Sequence, residues 1–157
     1  MGLDMYMTAK YYYGGQYIEE SDQEHTLEID GDFVENNKID VNNITDISTQ
    51  VAYWRKANHI HRWFVYNIQR GQDDCREYFV PKESLEELAE TCKAAIRAYN
   101  DNDHEKVNYL LPPGEGDYFG STEIDQWYLK DTKYTLEICN KLLEKDDDAV
   151  YYYKADW

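Results

Sequence analysis

The residues with the most chemistry to offer lie between positions 51 and 70. This stretch holds four cations, Arg55, Lys56, Arg62 and Arg70, and no acidic residue, in a chain with 32 acidic and 16 basic residues. Trp54, Asn58, His59 and His61 share it. At roughly 100° per residue, His61, Trp54, Asn58, Arg62 and Arg55 fall on one continuous arc of a helix. Arginine presents a planar fork suited to phosphate or carboxylate. Tryptophan gives a stacking face, and asparagine can read the edge of an amide or a base. With Lys56, these are the groups of an anion or nucleotide site. Composition supports an alternative of equal weight, in which the cations pair with the surplus carboxylates and Trp54 is core.

The second element is Pro112-Pro113-Gly114-Glu115-Gly116-Asp117-Tyr118-Phe119-Gly120-Ser121-Thr122. A glycine loop that feeds a capped helix exposes backbone N–H groups, and Gly120, Ser121 and Thr122 would present theirs to an anion. No lysine follows the glycines, so this is not a phosphate-binding P-loop, and the glycine spacing misses the dinucleotide fingerprint. Glu115, Asp117 and Glu123 would oppose a phosphate, so the loop taken alone reads as an ordinary surface loop. It gains meaning if the 51–70 segment lies across from it, with Trp127 and Asp131 completing the site. Asp131 falls within the apolar arc of its helix and needs a partner, for which Arg55, Arg62 or a tyrosine hydroxyl would serve.

Other chemistry is weakly supported. His59 and His61 lie about 200° apart on a helix, so both cannot ligate one ion there. Asp101-Asn102-Asp103 lacks the glycine and the spaced glutamate of a calcium loop. Cys92 and Cys139 fall on apolar helix faces and read as core, and Cys75 follows two aspartates that would raise a thiol pKa. No Ser/His/Asp order is identifiable. No catalytic residue, metal or cofactor is assigned.

The elements that must position these groups follow from periodicity and turn residues. Residues 3–20 read as a hairpin turning at Gly14-Gly15, and Thr26–Ile29 with Phe33–Val34 as a second one across Asp30-Gly31-Asp32. Residues 51–69 read as a helix whose core arc is Tyr53, Ala57, Ile60, Phe64 and Ile68. Glu77–Val80 is a short strand. Residues 84–99 form an amphipathic helix, with Ser84 and Glu87 at capping-box spacing. The last helix spans 122–143, capped by Ser121 or Thr122, with Ile124, Trp127, Tyr128, Thr135, Ile138 and Leu142 buried. Val150–Tyr153 is a terminal strand. The expectation is one α+β domain over residues 1–157, with about three main helices packed on a small, mostly antiparallel sheet.

The length of 157 residues suits one core, and a hydrophobic fraction of 42% supplies it. A net charge of −16 repels nucleic acid and anionic membrane alike, so direct binding to either is not expected. No stretch approaches the ~20 apolar residues of a membrane helix. Met1-Gly2-Leu3-Asp4 has neither a basic region nor an apolar run, so no signal peptide is expected. A cytoplasmic protein is implied.

The start Met1-Gly2-Leu3-Asp4-Met5-Tyr6, the segment Val51-Ala52-Tyr53-Trp54-Arg55-Lys56-Ala57-Asn58, then His61-x-Trp63-Phe64-Val65, Leu110-Leu111-Pro112 and Phe119-Gly120-Ser121-Thr122-Glu123-Ile124-Asp125 resemble a family of small uncharacterised bacteriophage and bacterial proteins. The resemblance spans nearly the whole chain. It implies a phage or prophage setting, where small proteins often blunt host defence. The expected function is sequestration of a small anionic molecule, a nucleotide or nucleotide-derived defence signal, without turnover. Homo-oligomers with sites at subunit interfaces fit that task. The alternative is an acidic inhibitor that mimics nucleic acid against a host defence or CRISPR-type nuclease, using the acids at 19–46 and Asp146–Asp148. A third reading is an enzyme acting on nucleotides with His61 and Asp131 as acid and base.

Overall fold

A computed structural model describes residues 2–12 and 31–157. Among the described residues, four strands form one antiparallel sheet in the order β2-β1-β4-β3: β1 (Asp4–Tyr12), β2 (Asp46–Arg55), β3 (Tyr78–Val80) and β4 (Val150–Asp156). The helices are α1 (Asp32–Asn37), α2 (Asn58–Asn67), α3 (Lys82–Asn100), α4 (His104–Leu110) and α5 (Gln126–Leu143). The fold is α+β, as expected, and α2, α3 and α5 are its main helices.

Alternation in β1 places Met5, Met7 and Ala9 against the helices, and β4 adds Tyr151, Tyr153 and Ala155 to the same buried face. α3 and α5 cover that face with Leu85, Leu88, Cys92, Ile138, Cys139 and Leu142. Cys92 and Cys139 are thus core residues. Burial pushes the Cys139 thiol up to about 12 and the Cys92 thiol higher still. Phe64 of α2 lies flat on Tyr153, with ring centroids 3.8 Å apart. The opposite face of the sheet is rich in tyrosine: Tyr6 packs on Tyr53, and the Tyr12 and Tyr152 hydroxyls meet at 2.9 Å.

Several expectations are corrected. Residues 51–55 end a strand, and the helix begins at Asn58. Ala52 and Trp54 are buried while Tyr53 and Arg55 are exposed, a period of two that the helical reading obscured. Lys56, with φ 58°, makes the break between strand and helix. From Ala57 onward the expected core positions hold, since Ala57, Ile60 and Phe64 are all buried. Phe33 and Val34 lie in α1 rather than in a strand. Their partner segment, Thr26–Ile29, lies outside the described residues, as do Gly14-Gly15 and the return of the first hairpin. β1 itself forms, but along Asp4–Lys10 both its edges are taken by β2 and β4. α3 starts at Lys82 behind Pro81, with no side-chain cap, so Ser84 is an interior residue. α5 starts at Gln126, and its cap is Asp125 rather than Ser121 or Thr122. α4 was not expected; Asp103 caps it by accepting from the Lys106 amide at 3.0 Å.

Candidate functional site

The β2–α2 junction and the glycine loop meet, and Asn58 joins them. Its side chain is only 2% exposed. The Nδ2 group donates to the Phe119 and Ser121 carbonyls at 3.0 and 2.8 Å, and Oδ1 accepts from the Gly114 amide at 3.2 Å. One amide side chain thereby satisfies three backbone groups of an otherwise irregular loop. Leu3 adds a backbone tie on each side, donating to the Tyr118 carbonyl and accepting from the Lys56 amide. Gly120 has φ 88°, and a Cβ there would stand 3.1 Å from the Lys56 Cβ, so the loop can lie this close only as glycine.

This junction, together with the first turns of α5, encloses a cleft of about 310 Å³. Seven of the eleven residues expected to form a ligand site line it: Arg55, Lys56, Asn58, Gly120, Ser121, Trp127 and Asp131. The other four do not. Trp54 is core, 3% exposed, with Nε1 donating to the Thr135 hydroxyl at 2.9 Å. Its place on the arc depended on a helix that does not extend that far. His61 is buried, with Nδ1 2.8 Å from the Tyr153 hydroxyl and Nε2 2.9 Å from Asp73 Oδ1. Arg62 lines two neighbouring cavities and reaches the Pro113 carbonyl. Thr122 is exposed outside the cleft wall. Asn58 is also reassigned: its amide is spent on the loop, so it positions the site rather than reading a ligand.

The walls of the cleft differ in charge. Arg55 and Lys56 stand on one side, and none of the four cations of the 51–70 stretch makes an ion pair among the described residues. Among the described residues, the expected pairing with surplus carboxylates is not found. Glu123, Asp125 and Asp131 stand on the other side. Asp125 Oδ1 accepts from the Trp127 and Tyr128 amides, so the N-terminus of α5 already holds a carboxylate. An anion in this cleft must rely on Arg55 and Lys56 rather than on helix amides. The Asp131 carboxylate has no hydrogen-bond or ion-pair partner among the described residues, and neither Arg55 nor Arg62 reaches it. Burial pushes it up to about 6, against an opposing pull from the Lys130 charge and with a smaller push from Asp125. Trp127, expected in the core, is 61% exposed at the rim, with the Lys130 Nζ over its ring.

Four lining residues, His59, Glu123, Asp125 and Tyr128, were not among the expected ligand residues. Tyr128 is a core residue whose hydroxyl donates to the Leu111 carbonyl at 2.7 Å. His59 is 3% exposed and stacks on Tyr128 with centroids 4.0 Å apart. Its Nε2 lies 3.1 Å from the Thr132 hydroxyl, which itself donates to the Tyr128 carbonyl at 2.7 Å. The hydroxyl proton is thus spent, so Nε2 must carry the hydrogen and Nδ1 the lone pair. Burial holds His59 down at about 3, so it is neutral at physiological pH. His59 is paired with a histidine only at helical spacing i+2, and its burial arises from long-range packing on α5, so no local signal marked it.

Among the described residues, no group of three or more His, Cys, Asp or Glu side chains could hold a metal ion, and no helix is long and apolar enough to cross a membrane. Compared with protein-family models, with curated proteins and with solved structures, the chain finds no match.

Proposed function

We propose that this chain binds a small anionic ligand, a nucleotide or nucleotide-derived signal, in the cleft between the β2–α2 junction and α5, and sequesters it without turnover. The observation that carries the reading is that Arg55 and Lys56 line the cleft without an ion-pair partner among the described residues, in a protein where acids outnumber bases two to one. Cations with no carboxylate partner among the described residues are available to a phosphate, and Arg55, which touches the Tyr53 hydroxyl, can still present its guanidinium bidentately. The exposed Trp127 ring at the rim provides a face for a base. Carboxylates on the far wall favour a ligand that is anionic at one end and donor-bearing at the other, which describes a nucleotide better than inorganic phosphate.

Retention without chemistry fits the side chains present. His59 donates to Thr132 and so cannot take its proton, which leaves that hydroxyl unactivated. His61 and Asp131 line different cavities, so they do not form an acid–base pair on one substrate. The resemblance to phage proteins makes the cytoplasm of an infected cell the setting, and a host defence signal the natural target.

Isothermal titration of the purified chain with a panel of nucleoside monophosphates and cyclic dinucleotides tests this. Chromatography of the ligand after incubation reads turnover. Arg55→Glu should weaken binding at least ~10-fold, the scale of one charge-assisted contact. Binding of every nucleotide unchanged by Arg55→Glu would sink the proposal, and a converted ligand would replace sequestration with catalysis.

A further inference from the structure

The far wall of the cleft restricts which base it would accept. Its carboxylates, Glu123, Asp125 and Asp131, are acceptors, and its one free N–H donor among the described residues is the Trp127 indole at the rim. The Asp131 carboxylate is half-buried and unpartnered among the described residues, and one oxygen of Asp125 is already engaged by two backbone amides. His59, which borders the same cleft, has its proton committed to Thr132. Its remaining nitrogen is a lone-pair acceptor with no partner among the described residues. A surface of acceptors recognises adjacent donors and repels a ring nitrogen that offers a lone pair. Adenine places the acceptor N1 beside its amino group, and cytosine places the acceptor N3 there. Uracil flanks its single N–H with two carbonyls. Guanine alone among the common bases sets a ring N–H directly beside an exocyclic amino group, two parallel donors that match the two oxygens of a carboxylate.

We propose that the cleft is selective for guanine nucleotides, with Asp131 accepting from the ring N–H and the exocyclic amino group while Arg55 and Lys56 hold the phosphate. This rests on the reading of the cleft as a nucleotide site and adds the identity of the base. His59 Nδ1 contributes a further acceptor that cannot change its role, because the hydroxyl of Thr132 fixes the tautomer.

The test is titration of the intact chain with guanosine, inosine, adenosine and xanthosine monophosphates, for the parent and for Asp131→Asn. The parent should bind guanosine monophosphate at least ~10-fold more tightly than inosine monophosphate, which lacks the amino group, and more tightly still than adenosine monophosphate. In Asp131→Asn one acceptor becomes an amide donor, so affinity should fall for guanosine and rise for xanthosine monophosphate, whose carbonyl replaces the amino group. A gain of that kind cannot come from a damaged fold. Equal or better binding of adenosine monophosphate by the parent overturns the base assignment while leaving the nucleotide site standing. No binding of any of the four ligands, nor of the cyclic dinucleotides, overturns both. Loss of guanosine binding in Asp131→Asn without a xanthosine gain removes Asp131 from the role.

Discussion

Asp131→Asn should stabilise the unliganded fold at neutral pH, because a half-buried carboxylate that makes no ion pair or hydrogen bond among the described residues costs folding free energy. The structure supplies the magnitude. Burial moves this group from its ordinary 3.8 to about 6. A shift of that size corresponds to about 3 kcal/mol if the group were wholly shielded. The side chain is partly open to the cleft, and solvent screening reduces the figure to about 1 kcal/mol. For a chain of this length that is a rise of roughly 2–4 °C in Tm. The sign of the pH dependence is specific. A carboxyl whose folded-state pKa is raised binds its proton more tightly when folded, so the penalty is full above about 6 and fades as pH falls toward the unfolded value of 3.8. The stabilisation by asparagine should therefore be largest at pH ~7.5 and roughly halved at pH ~5. Paired thermal melts of parent and variant at the two pH values, in ligand-free protein, provide the assay. A destabilised variant at pH ~7.5, or a difference between the proteins that does not change with pH, would refute the claim that Asp131 is held ionised against its surroundings.

Three further outcomes are expected. Asn58→Ala strips three hydrogen bonds from the loop and leaves buried backbone groups unpaired, so it should destabilise the fold by about 2–4 kcal/mol in a denaturant melt, with hydrogen exchange rising first at residues 114–121. Trp127→Ala should leave Tm within ~1 °C, because the ring is largely exposed; nucleotide affinity should drop by ~5- to 100-fold in calorimetry, the worth of one stacked base. Phe64→Ala removes a fully buried ring stacked on Tyr153 and should cost about 3–5 kcal/mol, read by chemical denaturation.

The parts of this molecule that were legible in the sequence are those with local causes. α3 and α5 carry long amphipathic stripes, and β4 and β1 carry alternation or a tyrosine run, so each was found to within a few residues. The 51–58 segment was misread because an aromatic and an alanine at alternate positions satisfy a strand and one edge of a helix at once. Trp54 was consequently credited to the ligand when it belongs to the core. α4 escaped because seven residues with a single buried side chain, Val107, make no period. Within the site, the isolation of Arg55 and Lys56 was visible as a charge pattern. The roles of Asn58 and His59 were not, because an amide or imidazole type does not say whether its partner is a ligand, a loop carbonyl or a distant threonine. The first assignment needed the contact of α2 with the glycine loop, the second its contact with α5.

The place of β1 in the sheet has a consequence for how the chain reaches this state. β1 is the earliest strand in the sequence, yet it lies in the interior of the sheet, and one of its two neighbours is the last strand. Met5 pairs with Ala155 and Met7 with Tyr153, across almost the whole chain. Closing so long a loop carries an entropic cost that must be met before the pairing returns any stability. The β4-facing edge of β1 therefore has to wait through synthesis of everything between, and β3 waits as well, since its strand partner among the described residues is β4. The fold should assemble late and as a unit, and the interval before β4 arrives is when the chain is most open to capture by chaperones or by another copy of itself.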